Sequence, residues 1–176
     1  DECHRYDLPL FVEPMSYSLD TAVPTDSAAF AQTLPDVVRQ TAQRLGALKP
    51  DILKLQFPVN TTYEHDQNVW RSACEALTKA SPVPWVLLSA GVDFDKFAPQ
   101  VEVACRAGAS GFLAGRAIWK ESVGLPAAKR QQFINDTAIS RVKRLTEMAL
   151  KFAHPWTNYY APLAASEDWF ASYPEM

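Results

Sequence analysis

The sequence is short of the residues that mark metal and cofactor proteins. Its three cysteines, Cys3, Cys74 and Cys105, are an odd number with no metal-ligand spacing, so they provide no paired disulfide framework. Packed or surface thiols of this kind suit a reducing cytoplasm, where the chain is expected to work. The three histidines, His4, His65 and His154, are equally scattered, and none shares a spacing with Cys, Asp or Glu that would hold a metal. Glu64, His65 and Asp66 read instead as a charged helix start, where acids favour the positive end of the helix dipole. No apolar run approaches the roughly 20 residues needed to span a bilayer. The longest, residues 83–90, contains a proline and a tryptophan and reads as a buried strand. Positive charge is also scarce: the net charge is −3 and the pI about 5.6. That balance favours neither nucleic acid nor an anionic membrane, so any anion site must be local. No GxGxxG or Walker sequence follows an apolar run, which removes the usual dinucleotide and nucleotide fingerprints. An initiator methionine is missing too, and the chain opens inside DECHR, so a preceding segment is expected.

What is present is an ordinary globular composition, 48% hydrophobic and 21% charged. Four short apolar runs alternate with four helical patterns. The runs are residues 8–13 (LPLFVE), 51–57 (DILKLQF), 84–89 (PWVLLS) and 110–114 (SGFLA). Strands of this length, apolar on both faces, belong to a parallel sheet covered by helices. The first helical pattern covers residues 30–45, with Val37, Val38, Thr41, Ala42 and Leu45 in phase, and it stops near Gly46 and Pro50. A second covers residues 65–80 with Val69, Ala73, Ala76 and Leu77 on one face. A third covers residues 95–107 with Phe97, Val101 and Ala104. The fourth covers residues 127–153, with Phe133, Ile134, Ala138, Val142, Leu145, Met148 and Phe152 as its stripe. These stripes are read as core packing. Four βα units make half of a TIM (β/α)8 barrel, which needs about 200 residues or more when complete. The fold class is therefore α/β, a half-barrel. After Pro155 the tail turns aromatic, with Trp156, Tyr159, Tyr160, Trp169, Phe170 and Tyr173, and is expected to pack on this chain or on a partner.

Lys54 is the most informative residue. It lies in the middle of an apolar strand, where an ammonium is costly unless paired. Alternation sets Lys54 and Gln56 on one face and Leu53, Leu55 and Phe57 on the other. Desolvation of a lysine favours the free amine, the form that attacks a ketone; the plain alternative is a structural lysine–carboxylate pair. Glu13 closes the preceding strand, and a carboxylate at a strand's C-terminal end falls on the catalytic face of a parallel barrel. Within reach of Lys54 it can move the protons of carbinolamine formation and dehydration. Two further strand ends carry glycine, in Ser89, Ala90 and Gly91 and in Ala114, Gly115 and Arg116. Glycine lets backbone N–H groups approach an anion, and Arg116 can grip a phosphate or sulfonate bidentately. Ser16, Tyr17 and Ser18 are candidates for sugar hydroxyls, or plain loop polarity.

Together these segments resemble the tagatose-1,6-bisphosphate aldolase family, with its sulfofructose-phosphate aldolase and transaldolase relatives. The matching stretches are LPLFVEPMSY, DILKLQFPVN, PWVLLSAGVD and ASGFLAGRAIWKESVGLP, which cover nearly all of residues 8–126 in order. The resemblance implies that residues 1–153 are the C-terminal half of the aldolase barrel, with 154–176 as an aromatic tail. It implies that Lys54 is the Schiff-base lysine of the sixth strand, in a segment usually read LKxExP, and that Glu13 is the acid/base glutamate of the fifth. Ser89, Gly91, Gly115 and Arg116 fall in the anion-binding loops of strands seven and eight, with Gln56 beside them. Gln56 is a departure, because many relatives carry a carboxylate there. Strands one to four are the other. The resemblance implies no cofactor and no metal.

The expected function is a metal-independent class I aldolase. It would cleave a phosphorylated or sulfonated ketose to a three-carbon ketone, dihydroxyacetone or its phosphate, and an aldehyde. A transaldolase of the same family is one alternative. A non-catalytic half-barrel that binds a partner chain is another. Either way an oligomer, or association with the missing half, is expected, because an isolated half exposes its sheet edges and interior.

Overall fold

In a computed structural model, residues 2–161 are described, together with Glu167, Asp168 and Ala171. Four strands form one parallel sheet in the order β1 (Phe11–Val12), β2 (Ile52–Leu55), β3 (Trp85–Leu88) and β4 (Phe112–Leu113). The register pairs Val12 with Leu53, Lys54 with Val86, and Leu87 with Phe112. Parallel neighbours joined in chain order by crossovers of one hand place all the connecting helices on one face. Those helices are α2 (Ala28–Gly46), α3 (Gln67–Ala80) and α4 (Phe94–Arg106), followed after β4 by a longer helical run. The alternating α/β pattern of the sequence is thus present, with strands shorter than expected. β1 spans two residues because Pro9 and Pro14 bracket it and neither can donate to a ladder. A short helix, α1 (Glu2–Arg5), precedes it.

Caps and close approaches set the helix ends. The Ser27 hydroxyl accepts from the Phe30 N–H to start α2, and the Asp66 carboxylate accepts from the Asn68 N–H to start α3. After α4, Gly108 turns the chain at φ +111°, and a side chain there would lie 2.6 Å from Thr78 Cγ2. The Thr78 hydroxyl donates to Ala107 O and accepts from the Trp85 indole, so α3, α4 and β3 meet at one polar knot.

The helix-covered face holds the core. Leu53, Leu55, Trp85 and Leu87 are each at most 1% exposed and pack against Val38, Ala42, Cys74, Leu77, Phe97 and Val101. The expected stripes of α2 and α4 fit this core. That of α3 fits in part: Leu77 is buried and Ala73 packs against the core, but Val69 is 41% exposed, and Trp70 and Cys74 face inward instead. Trp70 takes the inward place because its ring packs edge-on against Phe57 and its indole N–H donates to Glu64 O. A short helix, α5 (Arg116–Trp119), follows β4; residues 127–152 are then one helical run in three parts, α6 (Ala127–Phe133), a π-helical turn (Ile134–Ala138) and α7 (Ile139–Phe152). Only part of its stripe is core. Ala138 and Leu145 are buried, but Ile134 and Val142 are exposed.

Among the described residues no α-helix covers the opposite face. In its centre Val86 and Leu88 are buried, but Phe11 and Leu113 on the outer strands are 46% and 42% exposed. At the N-terminal end of the sheet a hollow of about 700 Å³ lies between Phe11 and Ile52 and the tail residues Trp156 and Tyr160. There the Tyr160 hydroxyl donates to Asp51 O, and the Asp51 carboxylate accepts from the Leu10 N–H and pairs with His4. The described part of the tail therefore rests on this chain; Trp169, Phe170 and Tyr173 lie outside the described residues. No helix among the described residues is long and apolar enough to cross a membrane.

Candidate active site

Because Val12 pairs with Leu53, the next residue on each strand falls on the opposite, open face. These are Glu13 and Lys54. The Lys54 ammonium donates to Glu13 Oε2 at 2.7 Å. The pair is not dry, since the Lys54 side chain is 25% exposed and that of Glu13 45%. The desolvation expected from the sequence is therefore incomplete, because none of the described residues seals the pair from solvent.

A cleft of about 270 Å³ opens beside the pair. It brings together six of the seven residues singled out in the sequence: Glu13, Lys54, Ser89, Gly91, Gly115 and Arg116. The loop after β3 makes its wall as a tight turn. Ala90 and Gly91 both have positive φ, +48° and +77°, and the Val92 N–H closes the turn on Ser89 O. Glycine is needed at 91 for a second reason. A Cβ there would stand 3.2 Å from the Arg116 guanidinium, which lies across the turn. Arg116 itself makes no hydrogen bond or ion pair with the described residues. An unpaired guanidinium over a backbone turn, at the mouth of a cleft, is equipped to receive an anion.

Gln56 is the seventh residue, and it is placed differently. It lines a neighbouring hollow of about 210 Å³ with Asn60, Thr61, Lys96 and Gln100, and its Oε1 accepts from the Ser16 backbone N–H at 2.9 Å. Ser16, Tyr17 and Ser18 do not line the Lys54 cleft. The Ser18 hydroxyl is occupied locally with Asp20 O, and Met15 lies in the cleft wall instead.

Sequence reading missed Lys120, which clamps the 89–92 turn from outside. Its ammonium pairs with Asp93 at 2.5 Å and donates to Gly91 O at 3.2 Å. The Lys120 bond holds the Asp93 carboxyl below the usual carboxylate range. Its position four residues after Arg116 was the only available signal. Behind it Arg141 grips Glu121 through two bonds, 2.7 and 2.9 Å, and also donates to Ala117 O and Ile118 O, fixing the segment that carries Arg116. Cys74 and Cys105 stay in the core, where burial pushes both thiols up, Cys105 to about 11. They are unreactive packing residues.

Comparison with known proteins shows the family. The family model described as DeoC/LacD family aldolase matches residues 1–121. Tagatose 1,6-diphosphate aldolase 1 of Streptococcus pyogenes serotype M3 is 31% identical, over 89% of this chain and 53% of that protein. Tagatose 1,6-diphosphate aldolase of Lactococcus lactis subsp. lactis is 30% identical over the same shares. The chain thus spans about half the length of the curated relatives it matches. Among solved structures it resembles an archaeal fructose-1,6-bisphosphate aldolase whose catalytic lysine is covalently bound to the carbinolamine intermediate of its substrate. The TM-score is 0.50 and the identity 22%, with 84% of this chain and 47% of that one covered, a likeness of fold. With a family match over 121 of its 176 residues, the chain belongs to the DeoC/LacD family of aldolases.

Proposed function

We propose that this chain is the C-terminal half of a (β/α)8 barrel and carries the Schiff-base chemistry of a class I aldolase. The observation that supports it best is the 2.7 Å contact between Lys54 and Glu13 in a cleft that also holds Arg116. Lys54 must lose a proton before it can attack, and Glu13 is the acceptor within reach. The amine adds to the C2 carbonyl of a ketose to give a carbinolamine. Glu13 returns its proton to the new hydroxyl, which leaves as water. The resulting iminium withdraws electrons as the C3–C4 bond breaks and the C4 hydroxyl proton passes to the base. An aldehyde departs and an enamine remains on Lys54. Protonation at C3 and hydrolysis then release dihydroxyacetone or its phosphate, while capture by a second aldehyde would make the enzyme a transaldolase. Arg116 and the amides of the 89–92 turn and of Gly115 hold the terminal phosphate or sulfonate, which fixes the bond to be cleaved. The proposed chemistry calls for neither a cofactor nor a metal, and we place it in the cytoplasm.

The test is reductive trapping. The protein is incubated with dihydroxyacetone phosphate and borohydride, and any adduct is located by peptide mapping. An adduct on Lys54 that disappears in Lys54→Ala supports the assignment; full adduct formation by Lys54→Ala sinks it.

The uncovered face favours a second reading, in which this half serves only to bind its complement. Exposed Phe11 and Leu113 sit on the two edge strands, where a closing barrel would continue the sheet. An absent adduct here, restored in a chain extended before Asp1, would locate the chemistry in the assembled barrel.

A further inference from the structure

Gln56 shares the face of Lys54 but not its cleft, and its bond to Ser16 explains what it does there. β1 ends at Val12, and Pro14 has no N–H with which to carry a ladder further. The strap from Glu13 to Ser16 therefore runs past β2 with little backbone pairing to hold it. Two side chains hold it instead, one in β2 and one just past its end. Lys54 pairs with the Glu13 carboxylate at one end, and Gln56 accepts from the Ser16 N–H at the other, across 40 residues of chain. A 45% exposed glutamate on an unpaired strap has many directions open to it. Fixing the strap three residues further on removes most of them.

We propose that Gln56 is a positioning residue, which holds the Glu13–Ser16 strap against β2 so that the Glu13 carboxylate faces Lys54, and does not itself touch substrate. A carboxamide suits this task, because it accepts from a backbone amide without adding a second anion beside the Lys54–Glu13 pair. Its effect on chemistry rests on the Schiff-base reading above; its effect on the strap does not.

The test removes each end of the bond. Gln56→Leu deletes the acceptor, Ser16→Pro deletes the donor, and Gln56→Glu keeps an acceptor in place. Two readouts are taken: amide exchange of the 13–18 segment, and the rate and half-saturation of borohydride trapping with dihydroxyacetone phosphate. In Gln56→Leu, exchange at Ser16 should quicken roughly three- to tenfold, the worth of one such bond. The limiting trapping rate should fall by a similar factor with half-saturation unchanged. Ser16→Pro should lower the trapping rate alike, with no further loss when the two are combined. Gln56→Glu should restore the Ser16 protection. Wild-type exchange in Gln56→Leu would overturn the proposal, as would a raised half-saturation at an unchanged rate, the mark of a substrate contact. Should the wild-type chain trap nothing, the Schiff-base reading fails, and the exchange comparison still decides the strap.

Discussion

On the helix side of the sheet, Leu53, Leu55, Trp85 and Leu87 are sealed to within 1%. On the other side, Phe11 and Leu113 are nearly half exposed, and a lysine and a glutamate meet in the open. Leu53 and Lys54 are chain neighbours, yet the strand pleat sends one to each side. The closed face carries folding energy, since apolar area removed from water is its main source. In the proposal above the open face carries the chemistry and the closure of the barrel. It can hold an ion pair and an unpaired arginine because the other face already holds the sheet together.

That contrast can be broken from the closed side first. Leu53→Ala should cost about 2–5 kcal/mol, because the surrounding core cannot collapse fully into the space left. The shift in urea midpoint measures it, and a loss as small as that of an exposed leucine would erase the distinction between the faces. Acid gives the next largest effect. The Arg141 hydrogen bonds hold the Glu121 carboxyl below its ordinary range. At Asp51 burial opposes ionisation, but the Leu10 N–H and His4 outweigh it and the carboxyl is again lowered. Carboxyls depressed in the fold contribute stability that is complete above the ordinary carboxylate range near 4. It is lost as pH falls through the lowered folded values. Urea midpoints should therefore drop below about pH 4, and Glu121→Gln should flatten part of that slope. The smallest effect is expected on the open face, where Leu113→Ser should change the stability of this chain by no more than about 0.5 kcal/mol. A large loss there would mean that the face is covered in solution.

The meeting of the candidate site residues was more legible than the packing around them. A lysine inside DILKLQF and a glutamate closing LPLFVE stand out because charge in an apolar strand needs a reason. Alternation alone then placed both on one face. The stripe of α3 misled because Val69 and Trp70 are adjacent apolar residues, and two helical stripes one residue apart fit the same period. Which one faces inward was settled by an indole hydrogen bond to Glu64 O, a contact with no periodic trace. Gln56 and Ser16, 40 residues apart, and Lys120 and Gly91, 29 apart, likewise meet only once the strands are aligned. Local pattern names the reactive groups; the ties that aim them are non-local.

Trp119 stands in the wall of the cleft at 44% exposure, while Trp85 is wholly buried beneath the sheet. Among the chain's five tryptophans these two are lamps in different solvents, separable once the other three are replaced by phenylalanine. Light from Trp85 reports whether the fold is intact, whereas Trp119 should emit further to the red and be open to iodide quenching. An anion settling beside Arg116 should shade the second lamp and leave the first unchanged, so occupancy of the cleft can be watched in real time without a labelled sugar.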